Sequence, residues 1–285
     1  LIDPLVKIAS DRYRATLAPH HGGRLISLDW RDDAGQWQAL MPDAGPPPYA
    51  GKKATAFPLI PFGGRLRDAA VQTETGMVRV PEHPPESGLV LHGDGARRPW
   101  GLKYRSPNAA TLSLDWPSTD WPFEGHCEMT FAAFDDRFEV SQSVGTTEGP
   151  APFALGWHPY FRADGDSLLL LDADAVSMND PEGFARPFTR RSEALKMRLR
   201  DVASTRSYRL SGPDVRLVKQ LAGIQLSLGL FGAFDEVTIH VPPQAQSIAI
   251  EPVSHVLTSP CFPNVGTNSS LHGNVAIRAH QIELR

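Results

Sequence analysis

An all-β protein, a sandwich or barrel built of many short strands, is what this sequence predicts. Three observations carry that expectation. Pro and Gly number 26 and 24 and punctuate the whole chain. Long stretches with helical periodicity are hard to find. Short runs that alternate apolar with polar residues are frequent, as half-buried strands require. Many such runs separated by turn signals form sandwiches or barrels.

Taken in order, Met41 to Gly51 holds Pro46-Pro47-Pro48, which cannot supply ladder donors, and reads as a surface loop. Pro81 to Gly88 reads the same way. Strand-like runs follow at Thr111 to Trp116, Glu128 to Phe134, Phe138 to Val144 and Ser167 to Leu171. Pro187 to Arg200 carries many basic residues and reads as a solvated loop or edge. Further runs lie at Glu236 to Val241, Ser247 to Glu251 and Val275 to Leu284. β-like patterning resumes on both sides of each loop, so residues 1–285 are expected to form one domain.

Composition narrows the function. The net charge is -4, which speaks against a general nucleic-acid binder with its basic face. No apolar run approaches the roughly 20 residues that span a bilayer. Leu1-Ile2-Asp3-Pro4 lacks the basic start and apolar stretch of a signal peptide. Cys127 and Cys261 are too few for a disulfide framework or a zinc ligand set and read as small hydrophobes. A cytoplasmic protein is expected.

Several catalytic motifs are missing. Gly45 to Lys53 has the wrong spacing for a phosphate-binding loop and is interrupted by prolines. There is no dinucleotide-binding glycine fingerprint, no G-x-S-x-G elbow and no H-E-x-x-H. His20 and His21 are neighbours, which on a strand would face opposite ways.

Three contexts do offer chemistry: Leu91-His92-Gly93, Gly156-Trp157-His158-Pro159-Tyr160-Phe161, and Ser247-Ile248-Ala249-Ile250-Glu251-Pro252. If Phe153 to Tyr160 is extended, Phe153, Leu155 and Trp157 share one face, and Ala154, Gly156 and His158 share the other. In the last segment Ile248 and Ile250 face the core, while Ser247, Ala249 and Glu251 face away from it. Small residues beside His158 and Glu251 leave room for a ligand. The proline after each is expected to end the ladder and set the reactive side chain at a rim.

These contexts, with His21 to Leu28, Pro61-Phe62-Gly63-Gly64-Arg65-Leu66-Arg67-Asp68 and Pro263-Asn264, resemble the aldose 1-epimerase (galactose mutarotase-like) family. The order and broad spacing agree from near residue 20 to the C-terminus. The resemblance implies a large antiparallel β-sandwich, the galactose mutarotase-like supersandwich, holding a sugar on an open concave face. It implies Glu251 as general base, His158 as general acid and His92 as a second histidine near the ring oxygen. Arg65 corresponds to a ligand of sugar hydroxyls, and Asp235 matches the family's sugar-binding aspartate. Gly64 stands where galactose mutarotases usually carry Asn, which leaves the sugar preference open.

Mutarotation fits these residue types. The C1 hydroxyl of a cyclic hemiacetal loses a proton, the ring oxygen gains one, and the aldehyde turns before the ring closes on its other face. A carboxylate suits the first task and an imidazolium the second, each typically contributing about 10²–10⁴-fold. The expectation is therefore an ionised Glu251, a protonated histidine and a bell-shaped pH profile. No electrons move, so the reaction calls for no nicotinamide and no metal. Trp157 and Tyr160 offer faces to pack on a sugar. The only partner implied is a small sugar. Two alternatives stand: a hexose-6-phosphate mutarotase using Arg67, Arg97, Arg98 or Arg162, and a non-catalytic carbohydrate sensor on the same fold. A lyase or hydrolase would more readily show paired carboxylates.

Overall fold

The computed structural model describes residues 4–50, 54–73, 76–83, 90–202, 205–219, 222–243, 246–258, 264–266 and 269–282. Two antiparallel sheets make up most of it. The smaller runs in the order Val6–Ala9, Tyr13–Ala18, Arg24–Arg31, Trp37–Ala39. The larger has twelve described strands. From one edge it reads Tyr160–Arg162, Ser247–Val253, Glu236–His240, Thr205–Lys219, Ile224–Gly232 and Ser270–Gln281. It continues through Phe138–Gly145, Gly125–Ala133, Ala109–Trp116 and Gly101–Arg105. Leu168–Met178 pairs with both Thr205–Lys219 and Thr189–Arg198. The large antiparallel sandwich is thus present. The basic Pro187 to Arg200 stretch is largely the strand Thr189–Arg198, which pairs on one side only, as an edge.

Alternation fixes which side chains turn inward. In Gly125–Ala133 the residues Cys127, Met129, Phe131 and Ala133 are fully buried while their neighbours face outward. One buried cluster runs from Val6 to Ile277 and takes in both sheets. Each fully buried Leu or Phe in it is worth about 1.5–3 kcal/mol relative to exposure. The hydroxyl of Tyr13, from the smaller sheet, accepts the Ala279 amide of the larger at 2.8 Å. No described helix is long and apolar enough to cross a membrane.

Two expectations change. Phe153 to Tyr160 is not one strand: the ladder runs in pieces, Trp157–His158 and Tyr160–Arg162, divided at Pro159. Pro252, expected to end its strand, lies inside Ser247–Val253, opposite Val237. The reason is donor direction. The amides of Ile250 and Ser254 point to Pro159 and Leu155, so residue 252 faces the same interrupted seam, where a missing N–H costs little. Pro263 and Cys261 lie outside the described residues.

Candidate active site

The register of the large sheet builds the floor of a cavity. Glu251 stands opposite Thr238, and Thr238 opposite Ser207. One step along, Tyr160, Ala249, His240 and Thr205 line up across four strands. Ile248 and Ile250 point into the core with no exposure, so Glu251 points to the cavity side. Hydroxyl contacts tie the floor together: Ser207 to Thr238 at 2.8 Å and Thr205 to His240 Nδ1 at 2.9 Å.

The opposite wall is two interlocked turns. Gly64 and His92 bond reciprocally: the His92 amide donates to the Gly64 carbonyl at 2.9 Å, and the Gly64 amide donates to His92 Nδ1 at 3.0 Å. Arg65 bridges to Leu91 beside them. The neighbouring Gly93 is required: at φ 61° it sits where a Cβ would meet Pro61 Cδ at 2.5 Å and the Ile60 carbonyl at 2.7 Å. His92 itself takes φ 61°, a strained backbone for a residue with a Cβ and one found preferentially at functional sites.

His158 enters from the seam between the two walls. Its Nε2 lies 3.3 Å from Glu251 Oε1. Its ring stacks on Phe57 at 4.5 Å and on Tyr160 at 4.8 Å, and meets the edge of His92 at 5.4 Å. Gly156, two residues earlier, lets the chain approach this closely, since a Cβ there would come within 2.9 Å of Leu59 and Val253. The cavity these groups surround has a volume of about 560 Å³ and is lined by Arg65, His92, His158, Tyr160 and Glu251, among others. That volume suits a small ligand.

Burial sets the protonation. It pushes the Glu251 carboxyl up to about 8. It pushes His92 down to about 3, helped by the nearby Arg65 charge. His158 falls well below the ordinary histidine range, through burial first and then through repulsion that protonating the neighbouring His92 and His240 would add. The shifts of His158 and Glu251 both run against the expected starting state of an ionised Glu251 beside a protonated histidine. Desolvation thus favours the uncharged form of each member of the pair, a neutral imidazole beside a protonated carboxyl. Removing charges from water costs more than this pair recovers. His92 is neutral too, and because its Nδ1 accepts an amide, its proton sits on Nε2, which can only donate.

Five sequence-predicted residues thus meet in one cavity: Arg65, His92, His158, Tyr160 and Glu251. Two do not. Trp157 is 1% exposed and points into the core with Phe153 and Leu155. Strand alternation that sends His158 to the cavity sends its neighbour the other way. Asp235 is exposed, precedes its strand and does not line the cavity. The adjoining Glu236 is the buried carboxylate, and it is already engaged by Arg209 at 2.7 Å and by the Val256 amide at 2.7 Å. Sequence reasoning missed Thr205, Ser207, Thr238 and His240. The Glu236–His240 alternation marked Thr238 and His240 as facing together, but not toward what. No signal marked Phe57 as the stacking partner of His158. Among the described residues, no group of three or more His, Cys, Asp or Glu side chains could hold a metal ion.

The large antiparallel sandwich is the fold of galactose mutarotase-like proteins. The chain belongs to the aldose 1-epimerase family, whose model matches residues 4–193. It is 28% identical over 176 residues to the uncharacterized protein YphB of Escherichia coli (strain K12), a match covering 59% of each chain. Similar folds include a candidate aldose 1-epimerase from Escherichia coli K12, with a TM-score of 0.83 at 16% identity, covering 98% of this chain and 99% of that one. Another is the GalM/aldose epimerase homologue from C. elegans, with a TM-score of 0.82 at 15% identity and the same coverage.

Proposed function

We propose that this protein is an aldose 1-epimerase that interconverts the α and β anomers of an unphosphorylated aldose. The observation that carries the reading is the 3.3 Å approach of His158 Nε2 to Glu251 Oε1 inside a cavity that Arg65 and His92 also line. A pair holding one proton can give it to the ring oxygen while its other member takes the C1 hydroxyl proton. Starting from the resting state, Glu251 gives and His158 takes. The reverse roles, with Glu251 as base and His158 as acid, are one proton hop away across the same gap. Either way the open aldehyde forms with no net change in charge, rotates about C1–C2, and closes by the reverse transfers. His92 supports the ring or a hydroxyl as a neutral donor, and Arg65 supplies planar donors to hydroxyls.

The arginines weighed for a phosphate are otherwise committed, which favours a neutral sugar. Arg67 pairs with Asp180 at 2.7 Å, Arg97 with Asp120 at 2.7 Å, and Arg98 with Asp94 at 3.5 Å. Arg162 does not line the cavity. Anomer-exchange NMR or polarimetry on glucose, galactose, arabinose and glucose 6-phosphate tests the proposal. Accelerated exchange of at least one free aldose, with no preference for the phosphate, is expected. Saturable sugar binding without acceleration would instead identify a sensor.

A further inference from the structure

Arg24 is a buried charge with no counter-ion among the described residues. It is 4% exposed. Its hydrogen bonds go to neutral acceptors, Thr55 Oγ1 at 3.1 Å and the Ala96 carbonyl at 3.3 Å, while its Nε has no partner. No carboxylate among the described residues pairs with it. Burial lowers it only to about 10, so it remains a cation at neutral pH. Holding a cation this way is costly, and buried, uncompensated charges cluster where function needs them.

Its position gives the charge a use. Three segments run side by side: Leu25 bridges to Ala56, and Phe57 pairs with His158. The Arg24 guanidinium carbon lies 4.6 Å from the centre of the Phe57 ring, on which His158 also stacks at 4.5 Å. We propose that Arg24 is a positioning residue for the acid–base pair: its charge, packed on Phe57 with no carboxylate partner among the described residues, adds to the effect of burial by disfavouring imidazolium at His158 and so biases the shared proton toward Glu251. This deepens the mutarotase reading and rests on it.

The direction follows from electrostatics. A fixed cation makes imidazolium less favourable at His158 and leaves the proton on Glu251. Burial is the largest influence on His158, the repulsion that protonating His92 and His240 would add follows, and Arg24 acts in the same direction. Other ionisable groups at the cavity are Tyr160 beside His158, and Arg65 and His255 in its wall. Of these groups Arg24 is the one placed on the Phe57 side, away from the lining of the cavity.

The test compares wild type, Arg24→Gln, which keeps N–H donors but no charge, and Arg24→Lys, which keeps the charge. Nitrogen-15 NMR follows the His158 imidazole during acid titration. Arg24→Gln should titrate higher by about half a pH unit, with Arg24→Lys near wild type. The acid limb of kcat/KM should move the same way, with kcat lower and KM little changed. Arg24→Met replaces Arg24→Gln if the latter does not fold. Identical His158 behaviour in all three proteins, including no titration in any, overturns the inference, as does a raised KM with an unmoved acid limb. A wild type that fails to accelerate anomer exchange overturns the mutarotase reading instead, and the imidazole titration still decides the role of Arg24.

Discussion

The amide of Gly64 donates to Nδ1 of His92 across 3.0 Å, while the carbonyl of the same glycine accepts the His92 amide at 2.9 Å. This reciprocal pair fixes the tautomer of His92 and turns its Nε2–H toward donation. It also gives a local reason for glycine in front of Arg65. Gly64 takes φ 82°, a left-handed conformation that L side chains resist.

Gly64→Ala isolates that relationship. A Cβ at this position would meet nothing within 4 Å, so the cost is backbone strain of about 1 kcal/mol. Thermal melts should show that modest loss. Anomer exchange should fall further than the melt explains, because relaxing the strain misaligns the amide with His92. Unchanged exchange would mean that this hydrogen bond does not serve the reaction.

Glu251→Gln should reduce anomer exchange by about 10³-fold or more while leaving sugar binding measurable by ligand-observed NMR. The same variant should gain stability at alkaline pH. The folded-state pKa of Glu251, about 8 against an ordinary 4.5, is raised, so wild type loses stability as pH rises from the lower value to the higher. The advantage of the variant should grow across that window to on the order of 2–4 kcal/mol and then level off. Denaturant melts at several pH values measure it.

The pH dependence of kcat/KM follows from a pair that works with one proton. Above about 8 that proton leaves Glu251, and activity should decline. On the acid side activity should persist well below the ordinary histidine range, because His158 resists a second proton. A profile that rises through pH 8 would contradict the neutral resting pair.

Trp157 and Asp235 separate core from cavity. Trp157→Ala should cost about 3–5 kcal/mol of stability through lost packing. Asp235→Asn should leave KM for the preferred sugar within error. A large KM increase in Asp235→Asn would return that aspartate to the binding site.

Much of the site was legible because its turns need unusual residues. Gly93 cannot carry a side chain beside Pro61, and Gly156 cannot carry one between Leu59 and Val253, so these glycines mark the close-packed backbone that carries His92 and His158. The family pattern then gathered Arg65, His92, His158 and Glu251 into one proposal. Asp235 falls outside the cavity lining because a motif fixes neighbours in sequence, whereas lining a cavity depends on where a strand begins. Trp157 illustrates the limit of aromatic chemistry as a guide: the same ring serves a sugar or a core, and only facing decides.

By itself, the sequence determined the all-β class, most strand positions and the residue types that can move protons. Those depend on local alternation and on turns, which neighbouring residues dictate. The tertiary structure alone decided that His158 and Glu251 come within 3.3 Å of each other, that both are buried deeply enough for desolvation to favour their uncharged forms, and that Arg24 lies nearby with no carboxylate partner among the described residues. Protonation is set by desolvation and by charges brought close from distant parts of the chain, and neither exists until the sheets have packed.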